Sequence, residues 1–262
     1  MNKINVKLED IKAQTQKALV NHGASKITAE SVAEAVKVAE AENNKVCGLY
    51  YLESYCNQLK SNRVDGSVTP EVKKPSNSSV YVDAKNGFAQ PAFAAGFELA
   101  ISTARENGIC LFTIAHSHTC TSMGFFTSQI AKKGLLGIGA TVAPACVSPP
   151  GGNKPLLGTN PISMSVPSDN NDVAFQFDQS TSAIAIGKIR MAASNGESIP
   201  EGWAVDKEGK PTTDPNKALE GSLLSSGGYK GFGFGLMAEI LASALTGSLS
   251  SMNAPPLKTT EG

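Results

Sequence analysis

Apolar residues at helical spacing open the chain. Leu8, Ile11, Ala18 and Leu19 share one face, Thr15 lies in the same stripe, and Gly23 is a natural stop. Thr28 is placed to cap a second helix over AESVAEAVKVAEAE, and a third helical segment is expected from about Leu49 to Leu59. SNRVDGSVTP is a turn-rich loop ending at Pro70. The period then changes. SSVYVDAKNGFAQ reads as a strand, an Asn86–Gly87 turn and a helix entered at Pro91. That helix, PAFAAGFELAISTAREN, is amphipathic, and Gly108 ends it. ICLFTIA and LLGIGATVA read as buried strands on either side of a helix over FFTSQIAKKG, which predicts an α/β unit.

PPGGNKPLLGTNP is a long turn-rich loop. ISMSVP and VAFQFDQS read as strands, and GESIPEGWAVDKEGKPTTDPNKAL as a polar loop. SSGGYKGFGFGLMAEILASALTG is a glycine-rich loop running into a helix. SLSSMNAPPLKTTEG has no periodicity and is expected to be a mobile tail. No internal repeat is visible. These patterns divide the chain into a helical segment over 1–75, an α/β core over 76–247 and a tail over 248–262.

Composition narrows the class. With 262 residues, 41% hydrophobic and 18% charged, the chain suits one large or two small globular domains. A net charge of zero gives no bulk attraction to nucleic acid or to an anionic membrane. The charged N-terminus lacks the apolar core of a signal peptide, and prolines break the least charged run, so neither export nor a membrane span is expected. Five cysteines without CxxC spacing fit free thiols in a reducing cytoplasm. Only three arginines occur, Arg63, Arg105 and Arg190. Each merits attention, because bidentate grip on an anion favours arginine over lysine.

The densest candidate chemistry is AHSHTCTSMGFF. His116, His118 and Cys120 alternate, so an extended segment would put all three on one face as metal ligands, although no carboxylate lies near them in sequence. Thr119, Thr121, Ser122 and Gly124 before a helix equally suit a phosphate cradle, or an ordinary helix cap from Thr121 or Ser122. GGYKGFGFG is not a clean GxGxxG fingerprint and lacks the GK[ST] of a P-loop. Lys230 within it is placed to reach an anion, or the glycines serve close packing. Asn160 in GTNP reads as a turn residue. Asp178, ending an apolar strand, reads as a chemical group or as a cap on the next segment.

Together these segments resemble the malate/L-lactate dehydrogenase-like family of NAD(P)-dependent oxidoreductases, which includes sulfolactate, ureidoglycolate and cyclic-imine reductases. NRVDGSVTP, VDAKNGFAQPAF, PPGGNKPLLGTNP, FDQSTSAIAIGKI, IPEGWAVDKEGKPTTDP and GGYKGFGFGLMAEILASALTG carry the resemblance, in order and over nearly the whole chain. It implies an α/β fold with a non-Rossmann NAD(P) site, a homodimer, NAD or NADP as cofactor, and hydride transfer at C2 of a small 2-oxo acid or a cyclic imine. Family members usually run several dozen residues further, so the chain is expected to be truncated or short at its C-terminus.

The resemblance also assigns roles. Val46-Cys47-Gly48-Leu49-Tyr50-Tyr51 matches the family's S-H-G-L-x-R block, placing Cys47 at the usual proton-donating histidine and Tyr51 at the substrate-gripping arginine. Asp178 matches the aspartate that supports the donor. Ser117 matches the start of an S-x-H-x-G block, whose histidine falls at Thr119, so His118 is shifted by one. Ser117, Thr119, Cys120, Thr121, Ser122 and Met123 become cofactor contacts, with Thr159, Asn160 and Lys230 from the later blocks. Two readings follow: an active enzyme whose acid has moved to His118 or His116, with Tyr51 as a hydrogen-bond donor, or a member that binds nucleotide or metabolite without turnover. Without an arginine at 51, the cations in matching segments are Lys45, Arg63 and Lys230, and a substrate with two carboxylates such as malate is not expected.

Overall fold

The computed structural model describes residues 5–119 and 121–256. Helices α1 (Leu8–Asn21), α2 (Lys26–Ala41) and α3 (Leu52–Lys60) open the chain. Their cluster buries Leu19, Val32, Val36, Tyr55 and Leu59, and Phe88 joins it from further along the chain. The cap of α2 is Ser25 rather than Thr28. Its hydroxyl accepts the Thr28 N–H, so the helix starts three residues before the expected AESVAEAV run. Between α2 and α3 the chain makes two short 3-10 turns, Lys45–Cys47 and Leu49–Tyr51. They hinge at Gly48, where an added Cβ would stand 2.2 Å from a Glu40 carboxylate oxygen. That oxygen accepts the Leu49 N–H at 2.8 Å.

The first sheet has the order β1 (Glu71–Ser76), β2 (Ser79–Asp83), β3 (Leu111–Ala115). β1 was invisible in the pattern, because a polar EVKKPS with Pro75 can serve only as an edge. It also spans the expected boundary at residue 75. β2 and β3 are parallel, joined by α4 (Ala89–Asn107). The parallel crossover is therefore β2–α4–β3, not the unit expected around FFTSQIAKKG. Gly96 lets α4 lie close on the sheet, since a Cβ there would meet Phe112 and Val82 at 2.7 Å. β3 is an edge strand with Leu111 exposed, not the buried strand expected.

The second sheet, β4 (Gly137–Ala140), β5 (Ile162–Pro167), β6 (Val173–Gln179), is antiparallel and is covered on one face by α5 (Gly124–Ala131). Its polarity is inverted. Under α5 lie Ser163, Ser165, Gln176 and Asp178, and the Thr127 hydroxyl bonds both serines at 2.8 Å. Ile138, Met164 and Phe177 stand side by side on the other face. Ile138 is 71% exposed there, so β4 is not the buried strand expected either.

The remainder packs α6 (Ile186–Asn195), the short pair β7 (Ala204–Val205) and β8 (Ser222–Leu223), and α7 (Pro215–Glu220) around Ile189, Ile199 and Leu223. α8 (Tyr229–Glu239) follows, its end widening into a π-type turn over Ile240–Ala244. The expected tail is docked as far as it is described. Ser251 is 1% exposed, its N–H and hydroxyl both donate to Glu239, and its carbonyl accepts the Ala145 N–H. Residues 257–262 of that tail lie outside the described residues.

Candidate active site

Three elements converge where β6 ends. Asp178 faces α5, and one carboxylate oxygen accepts both the Ser122 hydroxyl and the Gly124 N–H at 2.8 Å. It thus caps a helix more than fifty residues earlier in sequence, where the positive end of the helix dipole favours a carboxylate. Neither Thr121 nor Ser122 caps α5 itself. The Lys45–Cys47 turn closes the second side. Burial pushes the Cys47 thiol up to about 11, with the negative charge of Asp178 adding to it, so Cys47 stays protonated at neutral pH. Burial also raises the Tyr51 phenol above its usual range. Glu42, at the end of α2, is raised by burial and then by Asp178.

The third side is α6. Gly187 packs on Val46: an added Cβ would stand 3.2 Å from its side chain. Arg190, one turn further on, acts electrostatically on Tyr51 and on Cys146, whose thiol burial raises to about 11. Arg190, Glu42 and Cys146 were not candidates from sequence. The scarcity of arginine was the one available signal.

The two histidines do not join this group. His116 closes β3 with a left-handed φ of 51°, and its Nδ1 lies 2.9 Å from an Asp83 oxygen at the surface. The His118 ring stands edge-on to Tyr55 and Phe88, with centroids 6.2 and 5.6 Å away. Its Nε2 is buried without a hydrogen-bond partner, and burial, assisted by Arg63, lowers the ring to about 4. Burial therefore holds the ring neutral at pH 7. Cys120, the third ligand of the metal alternative, lies outside the described residues. Among the described residues no cluster of three His, Cys, Asp or Glu side chains suits a metal.

The expected cofactor contacts divide. Ser117 is exposed, and Thr119 and Thr121 are half-buried, with Thr121 in the left-handed region at φ 65°. Met123 is instead packed with Ala89, Phe93 and Phe126, and the Ser122 hydroxyl is taken by Asp178. Asn160 is 0% exposed. Its amide donates to the Gly235 carbonyl and Glu239 and accepts from Ala143 N–H and Ser251, which leaves nothing for a ligand. Thr159 spends its carbonyl on Thr181. At the start of α8, Gly227 and Gly228 have φ of 65° and 66° with open space where Cβ atoms would stand, and exposed Lys230 follows. The start of α8 is thus open and glycine-lined beside the exposed Lys230, an arrangement that admits an anionic group.

Asp178 caps α5 beside the protonated Cys47 thiol and the Tyr51 phenol, and the α/β frame that holds them is shared with solved dehydrogenases and reductases. The chain belongs to the malate/L-lactate dehydrogenase family, whose family model matches residues 6–262, and is an oxidoreductase. It is 38% identical over 245 residues to a Delta(1)-pyrroline-2-carboxylate/Delta(1)-piperideine-2-carboxylate reductase of Pseudomonas putida, covering 93% of this chain and 72% of that protein. It is 37% identical over 257 residues to a (2R)-3-sulfolactate dehydrogenase (NADP(+)) of Chromohalobacter salexigens, covering 98% and 77%. The crystal structure of delta1-piperideine-2-carboxylate reductase from Pseudomonas syringae superposes with a TM-score of 0.92 at 35% identity, covering 97% of this chain and 76% of that one.

Proposed function

We propose that the protein uses NADH or NADPH to reduce a small cyclic imino acid at the carbon bearing its carboxylate. The observation that carries this is the charge at the reacting end. Asp178 and Glu42 supply two carboxylates there, and Cys47 and Tyr51 hold their protons. A cyclic imine that has taken a proton from water is a cation, which such carboxylates attract. The nicotinamide supplies a hydride when bound. The iminium carbon gains that hydride, the C=N double bond becomes a single bond, and the product is a neutral amine. No side chain has to give a proton. A 2-oxo acid needs a proton as well as a hydride, and the Cys47 thiol and Tyr51 phenol, both raised by burial, hold theirs.

In this reading Asp178 and Glu42 stabilise the positive ring nitrogen, and the Cys47 thiol and Tyr51 hydroxyl donate hydrogen bonds to the bound ring. Ser117, Thr119, Thr121 and Lys230 hold the cofactor, in an arrangement without the Rossmann sheet. Thr159 and Asn160 hold it only indirectly, by shaping the loop beside α8. The names of the Pseudomonas relatives support the substrate class. The inverted second sheet, with its apolar face outward, supports a homodimer, and the four free thiols among the described residues, Cys47, Cys56, Cys110 and Cys146, support a reducing cytoplasm.

A panel of five- and six-membered imine carboxylates, pyruvate and oxaloacetate, followed by NADH and NADPH oxidation, tests the reading. The expected outcome is imine turnover with kcat/KM at least about tenfold above any 2-oxo acid. Faster turnover of oxaloacetate overturns it, as does cofactor binding with no turnover of the panel.

A further inference from the structure

We propose that Arg190 grips the substrate carboxylate, replacing the cation that the Cys47–Tyr51 turn lacks. The inference rests on the reading above only in taking the substrate to carry a carboxylate beside the reacting carbon. The three arginines are not equivalent. Arg63 donates to the Pro256 carbonyl and Arg105 to the Lys133 carbonyl, each at 2.9 Å, so both guanidinium groups tie down backbone. The Arg190 guanidinium makes no hydrogen bond or ion pair among the described residues. An arginine held by its own helix and left unspent is available for an anion.

Its position is set by packing. Gly187 rests against Val46, and Arg190 is three residues later, so both project from one face of α6 toward the Lys45–Tyr51 segment. Ile189, between them, is wholly buried in the cluster that also carries Cys146, which fixes the rotation of the helix. The guanidinium charge is felt by Tyr51 on one side and by Cys146 on the other.

The charges then sort the substrate. The carboxyl groups of Asp178 and Glu42 offer no grip to a substrate carboxylate, and the Lys132 charge acts on Glu42. On α6, Arg190 lies on the face of Gly187 that packs against Val46, and its charge acts on Tyr51. An imino acid has its cationic nitrogen and its carboxylate on adjacent atoms. Carboxylate toward Arg190 and nitrogen toward Asp178 is the orientation that satisfies both, and it presents the carbon between them. Lysine at 190 would keep the charge but lose the two-pronged geometry.

The test is kinetic. Arg190→Gln and Arg190→Lys are compared with the unsubstituted protein on imine carboxylates, 2-oxo acids and their uncharged primary amides. NAD(P)H affinity is measured by fluorescence. Arg190→Gln should raise KM for the carboxylate substrates about 10- to 100-fold, the worth of a charge-assisted hydrogen bond. It should abolish the preference for acid over amide and leave NAD(P)H affinity unchanged. Arg190→Lys should recover part of the KM, which a purely structural role would not produce. If the imines turn over and Arg190→Gln keeps both KM and the acid-over-amide preference, the carboxylate assignment falls and the imine reading stands. If only 2-oxo acids turn over and Arg190→Gln raises their KM, the imine reading falls and Arg190 stands.

Discussion

His118 shows how far one side chain can depart from its appearance in sequence. It sits in the most chemistry-rich stretch of the chain, yet its ring belongs to the aromatic packing of Tyr55 and Phe88. The cost of that burial appears as pH dependence. The folded ring takes a proton only at about pH 4, whereas an unfolded histidine takes one near 6.5. Its folded value is depressed, so the unfolded chain binds the extra proton between these two values. Stability is full above about pH 6.5 and falls as pH drops toward 4, by on the order of 3 kcal/mol from this residue. His118→Phe keeps a flat ring and removes the orphaned Nε2. Denaturant melts at pH 7 and pH 5 should show the variant losing less stability on acidification than the unsubstituted protein, with NAD(P)H-dependent turnover retained. Loss of turnover together with intact cofactor binding would return the proton to His118.

At the scale of elements, the GTNP loop, α8 and the segment near residue 251 are one assembly. Asn160 sits at its centre, and Glu239 is shared between Asn160 and Ser251. Gly158 completes it, since an added Cβ would stand 2.1 Å from the Ala143 carbonyl oxygen. Asn160→Ala strips partners from the buried Gly235 carbonyl, the Ala143 N–H and Glu239. It should destabilise by roughly 3 kcal/mol or more, because buried polar groups left unmatched cost about 1–3 kcal/mol each. Ser251→Ala should cost less, about 1–3 kcal/mol. Differential scanning calorimetry checks the ranking, and equal melting for both variants would show that the cluster is not centred on Asn160. The sequence announced GTNP as a turn and gave Asn160 a backbone role. Its partners were hidden because Glu239 and Ser251 lie in a featureless helix end and an aperiodic tail.

At the scale of the molecule, the second sheet turns serines and Asp178 inward under α5 and leaves Ile138, Met164 and Phe175 on its outer side. ISMSVP has the alternation of an amphipathic strand, and the face chosen for the core is the polar one. Hydroxyls of Thr127, Ser163 and Ser165 satisfy one another there, which removes the penalty of burying them. An apolar sheet face left outward is the mark of a surface that pairs. Sedimentation of the purified protein should report a dimer, and Ile138→Glu, on a residue that is 71% exposed, should shift it toward monomer without lowering the melting of the monomer. A monomer at all concentrations would remove the homodimer from the proposed function.

What the sequence determined by itself was local or ordered along the chain. The first three helices, the helix closed by Gly108, the strands at Ser79–Asp83 and Val173–Gln179, and the family resemblance all rest on period or on motif order. β1 and α6 escaped, one because an edge strand need not be apolar, the other because its glycine-led start imitates a loop. Tertiary structure alone decided which groups meet: Asp178 with the start of α5, Gly187 with Val46, and the charge of Arg190 with Tyr51. The reason is physical. Periodicity reports how a segment divides water from core, but pairing across more than fifty residues depends on where whole helices and sheets come to rest. That placement is set by close contacts at glycines and by shared buried hydroxyls, neither of which leaves a period in the sequence.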